Sequence, residues 1–345
     1  MTIGARVIKT GLAVALAIFV SGLFGFASPL IAAVAAIFTI QPSIYRSWKQ
    51  ILDQLQANLM GAAVALTAVY LIGSTPIAVG LVCIAVIILT IRLKMDSAIG
   101  LTLVTVVAVM EAHSAGWLFA FQRLAMVLTG MGAAFLVNVL VYPPRPRKQF
   151  NDQVHEAFDL LSLLLRTAIS NEMKEQVYNK EKEKLQATLR KLQERYQLFE
   201  EERAITSSSK QSRARQLLVS RQMIRSLQKG VDLLEVVEEH YIGAPGADEW
   251  AVRFDRQIEE WTKYHEHILL KAEDKMKPGV TIVPEDGEYD AFKAQLISFI
   301  HPQLDERKPF IFVGAALMEY AYHLRRLEKL IEQVQMRQRG EQDEE

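Results

Sequence analysis

The sequence predicts an all-α, polytopic membrane protein with about six transmembrane helices followed by a cytoplasmic helical bundle. Three observations predict it. Nearly all the long apolar stretches lie between Gly11 and Tyr142. Basic residues occupy every second connection: Arg6 and Lys9 precede the first stretch, Arg46 and Lys49 follow the second, Arg92 and Lys94 the fourth, and Arg145, Arg147 and Lys148 the last. The connections between them, at Ser28-Pro29, Gly73–Pro76 and Glu111–Gly116, carry no Lys or Arg. Positive charge on alternate loops marks the cytoplasmic side of a threaded chain. The third observation is a run of charged helical patterns after Pro146. The expected organisation is a transmembrane domain over 1–145 with both ends inside and a cytoplasmic helical domain over 146–345, in a multi-pass protein of the plasma membrane.

Composition as a whole conceals this division. Residues 1–145 hold eight basic and three acidic residues, which leaves 31 and 36 of the 39 and 39 for the remainder. The second half is therefore slightly acidic, which argues against a nucleic-acid partner there. Cys83 is the one cysteine and lies in an apolar run, where it reads as a small packing residue.

The spans follow in order. Gly11–Ala27 is longer than the apolar core of a secretory leader and is followed at once by further spans, so it reads as the first crossing. Leu30–Ile40 is the second and the shortest, bounded by Pro29 and Pro42. It either extends through Gln41 and packs against protein, or is re-entrant. Ala57–Ile72, Ile77–Ile91, Ala98–Met110 and Trp117–Tyr142 complete the set. Several fall short of the roughly 20 residues that cross a hydrocarbon core. Before the third span, Ile44, Trp48, Ile51, Leu52 and Leu55 share a helical face, with Arg46, Lys49 and Asp53 elsewhere. This predicts an amphipathic interfacial helix running directly into span three, with Tyr45 and Trp48 at headgroup level. Ala57, Gly61 and Ala65 form a small-residue ridge, and Gly130, Gly132, Ala133 and Ala134 form another, both read as helix-packing surfaces.

Polar residues at membrane depth are expensive and point to a pathway or a pair. Arg123 lies six residues into the last apolar stretch. It either snorkels to the outer interface on its long stem or contacts an anion. Asn138 lies near the inner end of the same stretch, placed to hydrogen-bond between helices. Asp96, Glu111 and His113 sit at span ends, as helix termini or as proton-coupling groups.

Pro143, Pro144 and Pro146 stop the last span, and Arg145, Arg147 and Lys148 anchor it. Beyond them, Phe150–Asn171 carries apolar residues at 154, 157, 158, 161, 164, 165 and 168, a helical stripe. Lys174–Arg203 repeats Leu185, Leu189, Leu192, Tyr196 and Phe199 at three- and four-residue intervals, the spacing that coiled coils also use. Ser207–Ser209 reads as a turn. Gln211–Tyr241, Glu249–Lys275, Ala291–Ile300 and Pro309–Gln335 follow as helices, with Glu332–Glu345 expected to fray. A bundle of five or six helices results. No catalytic constellation, cofactor motif or P-loop is present, which argues against an enzyme or an ATP-driven pump. His265 and His267 diverge on a helix, unlike a zinc-binding pair, and read as part of a solvated or interfacial face.

Six short spans, the segment Gln54–Ala62 and the sixth-span series Phe121-Gln122-Arg123-Leu124, Gly130 and Val137–Pro144 resemble the aromatic acid exporter family, within the fusaric-acid-resistance-like superfamily. The charged tail resembles the cytoplasmic C-terminal domain of its Gram-positive branch. One departure concerns the start of span three. Many members carry Arg followed by Gly-Thr and a second Gly; with Gly61 as that second Gly, Gln54, Ala57 and Asn58 replace the others, which moves the weight of anion binding to Arg123. The resemblance implies proton-gradient-driven efflux of aromatic or hydroxylated carboxylic acids, and relatedness to dimeric plant malate channels implies a homodimer. The expected partners are therefore membrane lipid, a small organic anion and a second copy of the chain. The expected anion pathway is Arg123, Arg46, Lys49 and Asn138, with Glu111 and Asp96 as candidates for proton coupling. Two other readings remain open on the sequence: an anion channel, and a non-transporting envelope or signalling scaffold acting through its helical tail.

Overall fold

The computed structural model describes residues 5–26, 28–112, 116–141, 146–169, 173–201, 207–241, 244, 246–277, 284, 286–303 and 306–343. Among these every regular element is helical. The chain divides into two units, Met1–Arg145 and Pro146–Glu345.

The first unit contains α1 (Ala5–Leu23), α2 (Pro29–Thr39), α3 (Ile44–Ile72), α4 (Pro76–Arg92), α5 (Ile99–Glu111) and α6 (Gly116–Leu136), one for each apolar stretch. A 3₁₀ turn at Asp96–Ala98 leads into α5, and a π turn at Val137–Val141 continues α6. Local chemistry sets the boundaries. Pro29 and Pro76 open α2 and α4, where a missing N–H costs nothing. Ser43 and Thr75 cap α3 and α4 by accepting from the Arg46 and Ala78 amides. Gly73, at φ 75°, ends α3 in the left-handed region that glycine enters freely.

The stretches within α1, α3 and α6 at Arg6–Leu23, Ile44–Ile72 and Phe119–Val141 are long and apolar enough to cross a membrane, while α2 and α4 are shorter apolar helices. The 11 residues of α2 rise about 16 Å, roughly half a hydrocarbon core. Its extension through Gln41 does not occur: the helix stops at Thr39 and Ile40 is extended. The amphipathic segment at residue 44 runs without a break into span three, as the first turns of the 29-residue α3.

Within this unit α2 packs against α1 and α6, and α3 packs against α4, α5 and α6. The buried faces are built from small residues: Ala13, Ala17, Ala32, Ala35, Ala36, Ala57, Ala65 and Ala134 are all wholly buried. Lipid tails and leucine side chains are equally apolar, so close backbone approach replaces hydrophobic burial as the source of packing energy. Gly130 shows how close: a Cβ there would lie 2.0 Å from the Ala32 carbonyl oxygen. At Gly61 it would lie 2.7 Å from the Thr102 methyl. Both expected ridges therefore pack, except at Gly132, which faces open space. The outward faces carry Phe19, Leu30, Tyr70, Ile77, Ile84 and Phe121.

The second unit consists of α7 (Pro146–Ala168), α8 (Glu175–Glu201), α9 (Ser207–Val236, with a π turn to Tyr241), α10 (Ala247–Ala272), α11 (Asp286–Ile300) and α12 (Lys308–Asp343). All seven apolar positions of the α7 stripe are buried, from Val154 to Ala168. They meet Leu185, Leu189 and Leu192 of α8, Leu227 and Leu234 of α9, and an aromatic cluster formed by Trp250, Phe254, Phe292 and Phe310. Three expectations are corrected. Ser207–Ser209 open α9 instead of forming a turn, since serine is well tolerated where helical N–H groups have no intrahelical partner. The last helix runs on to Asp343 and does not fray at Glu332, which lies 2.7 Å from the Lys271 ammonium of α10. His265 and His267 lie in the interior, not on a solvated face, because α10 packs against both α7 and α12 and its buried face is wide.

His265 pairs with the Tyr320 hydroxyl at 2.8 Å and meets Phe158 edge-on. Burial pushes its imidazole down to about 3. The unfolded chain, with an ordinary histidine near 6.5, then binds a proton that the folded bundle refuses. Stability from this group is complete above pH 6.5 and is lost as pH falls toward 3, by about 2 kcal/mol at pH 5. Chemical unfolding followed by tryptophan fluorescence should show that loss in the wild type and a flatter profile by one proton in His265→Gln. In the first unit, Gly130→Ala should lower the melting temperature in detergent by several degrees, the effect of about 1–3 kcal/mol of overpacking. Gly132→Ala should leave it unchanged.

Candidate functional site

A helix in an apolar solvent turns its small and polar residues inward, and α3 does so along its length. Ser47, Gln50, Gln54, Ala57, Asn58, Gly61 and Ala65 are its buried residues, while Trp48, Leu52 and Leu59 are exposed. The face that looked like an interfacial apolar surface is thus the outer one, and the polar stripe is the inner one.

At the N-terminal end of α3 the stripe meets a buried hydrogen-bonded node. The Lys9 ammonium of α1, 7% exposed, donates to Asn138 Oδ1 at 2.8 Å. Asn138 lies in the π turn, wholly buried, and its amide nitrogen donates to Ser47 Oγ at 2.9 Å and to the Gln41 carbonyl at 3.3 Å. Ser47 in turn donates to the Thr39 carbonyl at 3.2 Å and accepts from the Gln41 amide at 3.3 Å. The last carbonyls of α2 have no partner within their own helix, and this node supplies one. Four chain segments, from α1, α2, α3 and the π turn, are joined by three side chains.

Further along α3 the polar stripe faces α5. Gln50 and Gln54 donate to the Ser97 and Ala98 carbonyls at 3.2 and 3.5 Å. Thr105 donates to Asn58 Oδ1 at 2.7 Å. The Gln54 side-chain Oε1 and the Thr102 hydroxyl are buried without a hydrogen-bond partner among the described residues. Such groups are costly to bury unsatisfied, and their presence at one seam marks it as the polar interior of this unit.

The sequence-derived candidates are distributed unevenly over this geometry. Asn138 is at the centre of the node. Arg46 and Lys49 flank Ser47 on α3, Arg46 half-buried and Lys49 exposed. Arg123 sits on α6, half-buried, and its guanidinium donates to the Val104 carbonyl of α5 at 3.3 Å while its Nε is buried. Asp96 and Glu111 are exposed, at the 3₁₀ turn and the last residue of α5. His113 and Arg145 lie outside the described residues. The structure thus joins Asn138 to a residue that sequence reasoning treated only as a topology signal, Lys9. A signal for it existed: Lys9, Ala13, Ala17 and Ser21 fall at four-residue intervals, and all four are buried. Arg6, three residues earlier, is exposed.

Among the described residues no cluster of three or more His, Cys, Asp or Glu is placed to hold a metal ion. In the second unit the buried polar groups serve packing. Lys271 bonds Glu328 and Glu332 at 3.0 and 2.7 Å, Tyr264 donates to Glu328 at 2.6 Å, and Lys182 pairs with Glu238.

A family model described as aromatic acid exporter family member 1 matches residues 1–141. The UPF0421 protein YgaE of Bacillus subtilis is 31% identical over 340 residues, which cover 96% of this chain and 95% of that protein. The UPF0421 protein OB2406 of Oceanobacillus iheyensis is 33% identical over 153 residues, 44% of each chain. The UPF0421 protein BH2644 of Halalkalibacterium halodurans is 33% identical over 162 residues, 46% of this chain and 45% of its own.

The node should be a principal source of cohesion in the first unit. Replacing Asn138 by Leu removes an acceptor for Lys9 and a donor to both Ser47 and the Gln41 carbonyl, at an expected cost of about 2–4 kcal/mol. Ser47→Ala should cost about 1–2 kcal/mol. Thermal unfolding of the full chain in detergent orders the variants: wild type, Ser47→Ala, then Asn138→Leu. Equal stability of all three would remove the node from the account.

Proposed function

The chain belongs to the aromatic acid exporter family, and on that premise we propose that it is a multi-pass transporter of the plasma membrane which exports aromatic or other organic carboxylate anions at the expense of the proton gradient. The observation that carries this reading is the family match over residues 1–141, which coincides with the apolar unit. In this reading α1 to α6 are the membrane part, with α2 packed against protein for the half-thickness it covers. Residues 146–345 form a cytoplasmic unit, and two copies of the chain assemble.

The geometry supports an anionic substrate in two ways. Arg123 keeps a permanently charged guanidinium half-buried on α6, where it donates to the Val104 carbonyl of α5. A guanidinium presents five N–H donors in a planar fork suited to a carboxylate. At the other end, Arg46 and Lys49 place positive charge beside the polar stripe of α3, which raises the local concentration of anions. Asp96 and Glu111 are exposed carboxylates at the two ends of the α5 region.

Efflux from proteoliposomes loaded with benzoate tests the reading. Flux should require an inward proton gradient, and Arg123→Gln should reduce it at least tenfold with the protein still folded. Glu111→Gln and Asp96→Asn identify which carboxylate couples: the relevant variant loses gradient dependence. Flux independent of the gradient would make the protein a channel, and absence of carboxylate flux across a panel would overturn the transporter reading.

A further inference from the structure

We infer that Lys9 is the inner receptor for the carboxylate of the transported anion, with Asn138 holding the ammonium in place between substrates. This rests on the transport reading above and adds to it a binding residue outside the expected pathway set. The starting observation is placement. A lysine in an apolar unit ordinarily extends its charge to the nearest aqueous surface. Lys9 is within about 6 Å of the start of α1, well within reach of that surface. It instead turns inward along the buried line of Ala13, Ala17 and Ser21. Arg6 is exposed at the same helix end and suffices to mark orientation.

The chemistry of the node fits a receptor. An ammonium has three N–H donors, and the bond to Asn138 Oδ1 uses one of them. Asn138 is a neutral acceptor, and a carboxylate is the stronger one by about a factor of two in hydrogen-bond energy. An arriving anion therefore competes well with Asn138 for the ammonium, and Asn138 remains anchored through Ser47 and the Gln41 carbonyl. Asn138 lies in a π turn, a form of helix that recurs at functional sites. Ala13, Ala36, Ala133 and Val137 belong to the adjoining buried apolar cluster. Ser47, the far end of the node, stands between Arg46 and Lys49 on α3. Those two cations gather anions from water, and Lys9 takes the carboxylate once it has left water, where a charge-assisted bond is far stronger.

The test uses the full chain in detergent, with benzoate as probe and uncharged benzamide as its control. Wild-type protein is treated with an amine-selective acylating reagent and the extent of modification read by mass spectrometry. Saturating benzoate should slow modification of Lys9 at least fivefold, benzamide less than 1.5-fold, and Lys49 should change less than twofold in either. Benzoate should also raise the melting temperature of the wild type and of Lys9→Arg, and not of Lys9→Met. Equal protection by benzamide, no protection of Lys9, or a benzoate-dependent shift retained in Lys9→Met would each overturn the assignment. Protection of Lys9 without carboxylate flux in proteoliposomes would uphold the binding site and remove the exporter reading instead.

Discussion

The amide of Asn138 is the constraint on which the first unit turns. Its oxygen receives the Lys9 ammonium, and its nitrogen reaches Ser47 and the Gln41 carbonyl between α2 and α3. A bilayer offers no water to take up these groups, so each must find protein. Once that amide is fixed, α1, α2, α3 and the end of α6 have one way to meet. The glycine and alanine contacts beyond it, above all Gly130 on Ala32, then bring the backbones close enough to gain dispersion energy along the helices.

Much of this was legible in the chain. Each of the six apolar stretches corresponds to one helix, because proline, glycine and capping serines punctuate the spans locally. The burial of Ala57, Gly61 and Ala65, and of Gly130, Ala133 and Ala134, was also readable from spacing. The polar continuation of the α3 ridge toward its N-terminal end was not. In water an apolar stripe turns toward the core; in lipid the same stripe turns outward, and the weaker signal of Ser47, Gln50, Gln54 and Asn58 marks the inside. Lys9 escaped for a related reason. Its position beside Arg6 matched the charge rule for topology, and that rule is silent about which of two neighbouring cations turns inward.

The second unit obeys the opposite rule and was correspondingly easier to read. The α7 stripe is buried at every expected position. The exceptions lie where a long-range partner decides. His265 is interior because Tyr320, 55 residues away, supplies its hydrogen bond. The late turns of α12 hold because Lys271 of α10 draws Glu328 and Glu332 together. Spacing along one helix carries no information about such partners.

The continuity of α3 has a mechanical consequence. Its 29 residues rise about 43 Å, the full thickness of a bilayer with its headgroups. No proline interrupts it between Ile44 and Ile72. Such a rod works as a lever arm with its short end pinned at Ser47. A tilt of about five degrees there sweeps Tyr70 and Leu71 sideways by about 3 Å at the far side. An event at one membrane face is then felt at the other as displacement, carried by the stiffness of a single helix with no relay of side chains between.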